Sequence, residues 1–241
     1  SWLRTIAYTA RCFAIESVGK IGGAGVTDRC YTHTAQNGLV DEFLERPDFT
    51  HLFMTESDMI LPHDAIEKLL KLDKDMVSGV YFLRSPYQAG RGQPCLYKKP
   101  PAIEANRSFL LKLKEEGRNP NGRRENDKQY AHCPVTIFPQ EEPFRVDCAG
   151  LGCLLLKRKV FETVPHPWFD LKAGQKEEGY GSDMYFYTKA RRAGLELWID
   201  PTVRCKQIDY YETDIEDYHW QLKNNPLFAG QGYIIGTPGP G

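Results

Sequence analysis

The chain has 241 residues, enough for one core of ordinary size, and carries 31 Lys and Arg against 32 Asp and Glu. That balance leaves no basic excess to displace counterions from phosphates, which argues against a dedicated nucleic-acid surface. No apolar run approaches the roughly 20 residues of a membrane helix, no leader peptide is read at the start, and scattered Gly and Pro with 12% aromatic residues describe a globular chain.

In chain order, the start WLRTIAYTARCFAIESV reads as helix or strand, and GKIGGAGVTD as a glycine-rich turn. A helix is expected from about Thr34 to Glu45, with Leu39, Phe43 and Leu44 inward and Pro47 ending it. HLFMT (51–55) suits a buried strand, Pro62 opens a helix through Leu72, and DMVSGVYF (75–82) is the next strand. Strand, helix, strand implies a parallel pair with a crossover helix. Residues 98–145 break the rhythm as an insertion. Within it RSFLLKLKEEG suits a helix, and 117–131 is a polar, turn-rich run expected to be exposed and mobile. FRVDCAG, GCLLLK, a short helix at 159–163 and a long loop through PHPWF come next. Ser182 is placed to cap a helix from Asp183 to Arg192, closed by Gly194; LELWID and TVRCKQI are further strands, and the tail reads as irregular.

The seven Cys (12, 30, 95, 133, 148, 153 and 205) are odd in number and include no CxxC, so neither a disulfide framework nor a zinc knuckle is suggested. Buried reduced thiols, such as Cys153 in GCLLL, point to a cytoplasmic protein.

The strongest chemical feature is FTHLFMTESDMILP, an apolar strand ending in Glu56-Ser57-Asp58. In an extended chain, residues two apart face the same side, so both carboxylates would project from the carboxyl end of a central strand into a cleft. Two hard oxygen donors there suit Mg²⁺ or Mn²⁺ with a diphosphate. The plainer reading is a strand-to-helix turn in which Asp58 caps the next helix. Asp183, after GYGS, is either a carboxylate favoured by the helix N-terminus or a general base at a cleft edge. Gly150 and Gly152 would let the backbone approach a ligand, or mark ordinary turns. Trp168 and Phe169 could stack on a sugar ring, or simply pack.

Taken in order, AQN (35–37), TESDM (55–59), MVSGVYFLR (76–84), VDCAGLGCLLLKRKVF (146–161), HPWF (166–169), YGSDMYFYTKARRAGLELWIDP (180–201) and VRCKQI (203–208) resemble the GT-A glycosyltransferases related to family 2, in their compact phage and bacterial form. The resemblance implies one α/β domain over 1–241, with a GT-A-like, Rossmann-like, mostly parallel central sheet flanked by helices. It implies a metal-dependent transfer of a sugar from a nucleotide-sugar donor to an acceptor hydroxyl, with inversion. By it Asp183 matches the catalytic base. Gln36, Asn37, Glu56, Ser57, Asp58, Arg84, Gly150 and Gly152 match donor-binding positions, and Trp168 and Phe169 the acceptor side. Glu56, Asp58 and Gln207 match metal ligands for Mn²⁺ or Mg²⁺. The chain departs from the pattern at four places: Glu56 opens the acidic motif instead of Asp, Gln36 replaces the Arg of an Arg-Asn pair, Ser182 replaces a Glu, and Gln207 stands where a metal-binding His is common. The Ser182 and Gln207 departures favour an alternative, a degenerate binding or structural protein that keeps the fold without turnover. A nucleotidyltransferase shares the sheet-plus-metal logic but would need a glycine-rich, basic N-terminal signature.

Overall fold

The computed structural model describes residues 31–84, 92–98, 133–171, 181–208, 212–224 and 233–235. The readings of the first 30 residues, of the RSFLLKLKEEG helix and of the run 117–131 lie outside them.

Helix α1 (Thr32–Leu44) turns Gln36, Val40 and Phe43 inward, at the i, i+4, i+7 spacing of one helical face. It ends three residues before Pro47. The Arg158 guanidinium collects its open carbonyls instead, donating to Leu44 O at 2.7 Å and Arg46 O at 2.9 Å. Strand β1 (His51–Met54) leads through a turn to β2 (Met59–Ile60), then to α2 (Ala65–Lys71), β3 (Met76–Val80) and β4 (Phe82–Arg84). β5 (Gly92–Pro94) folds back on β4, and β6 (Leu96–Lys98) comes after it. β7 (Cys133–Ile137), inside the expected insertion, is a regular strand paired with β6. Then come β8 (Phe144–Val146), β9 (Cys148–Ala149), β10 (Leu154–Lys157), α3 (Arg158–Thr163) and α4 (Ser182–Arg192). LELWID and TVRCKQI divide differently from the expectation, into one long β11 (Leu197–Arg204) and a short β12 (Lys206–Ile208). The register of β11 shifts between Ile199 and Arg204, around Pro201, which has no N–H for the ladder. β13 (Glu212–Thr213), α5 (Ile215–Asn224) and β14 (Tyr233–Ile234) complete the order; α5 lies in the tail that reads as irregular.

The central sheet runs β1-β10-β3-β11-β8. Only β3 with β11 is parallel; β1 with β10, β10 with β3 and β11 with β8 are antiparallel. The expected mostly parallel sheet is therefore corrected to a mixed, mostly antiparallel one. β1 and β3 do run the same way across their helix, but β10 returns from far along the chain and inserts between them. Hydrophobic pattern cannot reveal that insertion, because all three strands are apolar whichever way they run. β1 is consequently an edge strand of the described sheet, not a central one.

Both faces of the sheet are covered, and strand alternation divides the core in two. Met76, Leu154, Leu156, Leu197 and Ile199 pack with Val40, Phe161 and Phe186 on one side. Val77, Leu155 and Val203 pack with Ala65 and Leu69 on the other. A strand buried on both faces reads as an unbroken apolar run, which is why GCLLLK carries no period-2 signal.

Candidate active site

β1, β3 and β11 point the same way, so the segments leaving their carboxyl ends gather at one edge of the sheet. After β1, Thr55 Oγ1 donates to Gly152 O at 2.9 Å and anchors the chain. Residues 56–59 then form a tight turn, closed by Met59 N–H on Glu56 O at 3.2 Å. The acidic pair therefore sits in a turn. The expected extended segment ends at Met54, and turn geometry, not strand alternation, sets the two carboxylates.

After β11, β12 pairs antiparallel with β2 and sets Gln207 opposite Met59. Ile208 N–H donates to Asp58 O at 2.8 Å, and Gln207 Nε2 donates to Asp58 Oδ2 at 2.9 Å. Gln207 Oε1 is buried and accepts no hydrogen bond among the described residues. Two side chains 149 positions apart are thus joined by one short ladder.

Asp183 arrives on the first turn of α4. Its Oδ1 accepts the Met184 N–H at 2.7 Å. Gly181, in extended conformation, is the N-cap, and Ser182 is the first helical residue, buried and making no cap bond; the expected Ser182 cap is corrected. Burial pushes the Asp183 carboxyl above its ordinary range, and the backbone donors at the helix start oppose that push. A helix terminus favours the charged carboxylate, but here burial outweighs it. Glu56 keeps its own surface exposed yet is crowded by surrounding protein, as on the wall of a concavity. That crowding pushes its carboxyl up to about 7, and the charges of Asp58 and then Asp183 add to the rise. The charge of Asp183 on α4 thus reaches Glu56 in the β1–β2 turn, while the Asp183 carboxyl itself is governed by burial and its backbone donors.

The other expected site residues divide. Ser57 is exposed in the acidic turn. Arg84 ends β4, its backbone opposite Gly92. Gln36 is 8% exposed on the inner face of α1, its Oε1 without a partner among the described residues. Asn37 has its amide fully engaged elsewhere. Its Nδ2 donates to His33 O and Phe169 O, and its Oδ1 accepts the N–H groups of Trp168 and Phe169. That leaves it nothing to offer a donor, and its role is corrected to a clamp on the Pro-Trp-Phe corner.

Trp168 and Phe169 are 6% and 1% exposed. The Trp168 indole donates to Val164 O at 2.8 Å, and Phe169 stacks on Phe186. No ring face remains for a sugar, so the acceptor-side expectation is corrected to core packing. Gly150 and Gly152 make room for protein: a Cβ would stand 1.6 Å from the Tyr81 hydroxyl at Gly150 and 2.9 Å from Met59 Sδ at Gly152.

Sequence reasoning misses Gly181. A Cβ there would meet Asp183 Oδ1, and the Gly-Ser-Asp order is the available signal. A cavity of about 310 Å³, lined by Lys98, Arg145, Asp147, Tyr187, Arg191 and Glu196, opens at the amino ends of β3 and β11 and includes none of the site acids.

Among the described residues no group of three His, Cys, Asp or Glu could hold a metal ion. Glu56 and Asp58 supply two carboxylates, and Gln207 presents its Nε2, not its Oε1, to Asp58. Mg²⁺ typically uses one or two protein carboxylates with substrate phosphates, so this donor set fits a cation that arrives with a diphosphate. The Asp58 carboxylate meets Gln207 Nε2, and Gln207 Oε1, at the other end of the carboxamide, is buried without a partner among the described residues.

No protein-family model and no curated protein matches the chain. Among solved structures, the crystal structure of A197 from STIV is similar, at 16% identity and a TM-score of 0.48, over 86% of this chain and 79% of that one.

Proposed function

We propose that the chain is a GT-A-like glycosyltransferase that moves a sugar from a nucleotide-sugar donor to an acceptor hydroxyl with inversion. The observation that carries this is the Asp58–Gln207 hydrogen bond beside Glu56 in the turn that leaves the carboxyl end of β1, with Asp183 on the first turn of α4 within electrostatic reach of Glu56. Glu56, Asp58 and Gln207 would hold Mn²⁺ or Mg²⁺, which when bound neutralises charge on a leaving diphosphate.

Asp183 takes the proton of the acceptor hydroxyl. The freed oxygen forms a bond to the anomeric carbon as the bond from that carbon to the diphosphate oxygen breaks. The electron pair leaves with the nucleoside diphosphate. A carboxyl raised by burial is a stronger base than an ordinary one, which suits this role. Cys95, Cys148, Cys153 and Cys205 are buried free thiols, and they support a reducing, cytoplasmic setting. No helix among the described residues is long and apolar enough to cross a membrane.

The test is incubation with a panel of nucleotide-sugars and Mn²⁺, monitoring release of nucleoside diphosphate. The competing reading, a binding protein without turnover, draws on the Asp183 carboxylate being engaged by the N–H of its own helix. Donor binding without any release of nucleoside diphosphate would establish that reading instead.

A further inference from the structure

We propose that the cavity at the amino ends of β3 and β11 is a second ligand site, one that takes a small phosphomonoester on Arg191 and Lys98. It lies at the opposite end of these strands from the acidic turn and stands apart from the reading of that turn.

Its size and lining set the first limit on the ligand. At about 310 Å³ the cavity falls at the lower end of the range for small-molecule sites, about 300–1,000 Å³. Val146, Tyr187 and Leu197 line it, and each is almost fully buried. An inorganic anion alone would leave much of that lining uncovered. An anion carried on an organic body matches it better.

Charge sets the second limit. Lys98, Arg145 and Arg191 face the cavity with Asp147 and Glu196, one positive charge more than negative. Arg145 and Glu196 spend their charges on each other, both about half exposed, and Arg145 also lies over the Trp198 ring at 5.7 Å. Arg191, on the last turn of α4, is different. Its guanidinium stands 4.0 Å from Asp147, too long for a hydrogen bond, and makes no other contact of that kind among the described residues. Lys98 ends β6, which the bond from Asp147 N–H to Tyr97 O ties to the segment leaving β8. Its ammonium makes no hydrogen bond or ion pair among the described residues.

A guanidinium and an ammonium, with all their N–H donors unspent, thus line one cavity. A guanidinium fork grips two oxygens of an anion at once, and an ammonium supplies a separate point charge. A carboxylate has two oxygens and would be exhausted by the fork. A phosphomonoester has three and is close to doubly charged at neutral pH, so it can meet both groups. Asp147 is the one charge that opposes an anion beside Arg191.

The test is calorimetry of the full chain with phenyl phosphate, in the presence of EDTA and at fixed ionic strength. Inorganic phosphate and benzoate are the comparators. Phenyl phosphate should bind about 10-fold or more tighter than either, because it alone joins an apolar body to three oxygens. Arg191→Lys keeps the charge at the end of α4 and loses the fork, and should weaken binding about 10-fold. Lys98→Gln should weaken it by about the same factor. Asp147→Asn should tighten it, and Asp58→Asn, in the acidic turn, should leave it unchanged. Melting curves establish that each variant is folded. A wild type that does not bind phenyl phosphate overturns the inference, and so does equal affinity for benzoate. Unchanged binding in folded Arg191→Lys overturns it too. If that variant does not fold, unchanged binding in Lys98→Gln decides the matter in the same way. Loss of binding in Asp58→Asn would put the phosphate at the acidic turn and overturn the second site, leaving the transferase reading in place.

Discussion

A Cβ on Gly181 would stand 2.3 Å from Oδ1 of Asp183, so the carboxylate occupies the space that a side chain at position 181 would take. The backbone of Gly181 (φ −123, ψ 159) is open to any residue, so its glycine serves the neighbour and not the turn. Gly181→Ala should therefore leave the fold in place and push Asp183 off its present position. Displacing a catalytic group by an ångström can cost about 10²-fold in rate. Turnover should fall by about that factor with little change in melting temperature. Full activity in Gly181→Ala would show that the position of Asp183 does not matter to the reaction.

Asp183→Asn keeps the size of the side chain and an acceptor for the Met184 N–H, and removes the base. General-base catalysis contributes about 10²–10⁴-fold, so turnover should drop by that order while donor affinity, measured separately by calorimetry, holds. Asp58→Ala should differ by weakening metal-dependent donor binding together with turnover. Transfer activity retained in Asp183→Asn would reduce Asp183 to a helix-start residue.

How much of this is legible in the sequence depends on range. Local signals carry well: the α1 helix with Phe43 inward, the apolar HLFM run, Gly194 with its positive φ closing α4, and the acids themselves; the inner face of α1, however, runs through Gln36 and Val40, and Leu39 is only half-buried. Pairing does not. That β10 slips between β1 and β3 is decided by contacts between segments about a hundred residues apart, and every strand involved is simply apolar. The expected roles of Asn37, Trp168 and Phe169 fail for a related reason. A polar residue beside an aromatic corner suggests a binding site, but in the fold each satisfies the other. The Asp58–Gln207 contact is foreshadowed by family resemblance alone, since the β2–β12 ladder that makes it is too short to leave a pattern.

The hydroxyl of Tyr81 lies against Gly150, with Cys95 Sγ beside both. Gly150→Ala would place its methyl 1.6 Å from that hydroxyl, and Tyr81 is 4% exposed, with little freedom to move. Overpacking of this kind costs about 1–3 kcal/mol. Tyr81→Phe removes the clashing oxygen, so the double variant should be less destabilised than the two single changes predict together. Denaturant melts of the four proteins give that coupling directly. Strict additivity would mean that the strain is relieved elsewhere.

Asp73 has a positive φ of 48° and an ion pair with Lys157, whose ammonium also donates to Asp73 O at 3.1 Å. The hydrogen bond and charge of Lys157 hold the Asp73 carboxyl below its ordinary range. A depressed folded-state value means that the pair's contribution is present above the unfolded pKa of about 3.9 and is lost as pH falls through the folded value. Asn tolerates the left-handed backbone, so Asp73→Asn isolates the charge. The melting temperature of the wild type should exceed that of Asp73→Asn by a small margin at pH 6, and the margin should close as pH drops below about 4. A margin that stays constant with pH would place the effect in the backbone, not in the ion pair.

Asn37 separates holding a donor from holding the fold. Its Oδ1 accepts two backbone N–H groups, at 3.0 Å from Trp168 and 3.1 Å from Phe169. Its Nδ2 donates at 2.7 Å to Phe169 O and at 2.9 Å to His33 O. Asn37→Ala would strip the two N–H groups of their acceptor, beside side chains that are almost fully buried. Unpaired buried donors cost about 1–3 kcal/mol each, so losing the acceptor of both should destabilise by about 2–6 kcal/mol. For a domain of this size that is a fall in melting temperature of about 4–24 °C. Asn37→Asp keeps the acceptor, loses the two donors and turns a carboxylate on two carbonyls, so it should also destabilise. In either variant, donor affinity of the folded fraction should match the wild type, because no part of the amide is free to reach a nucleotide-sugar. Calorimetry below the melting transition reads that affinity. An Asn37→Ala protein that melts like the wild type but binds donor weakly would return Asn37 to the donor site and remove its role as a clamp.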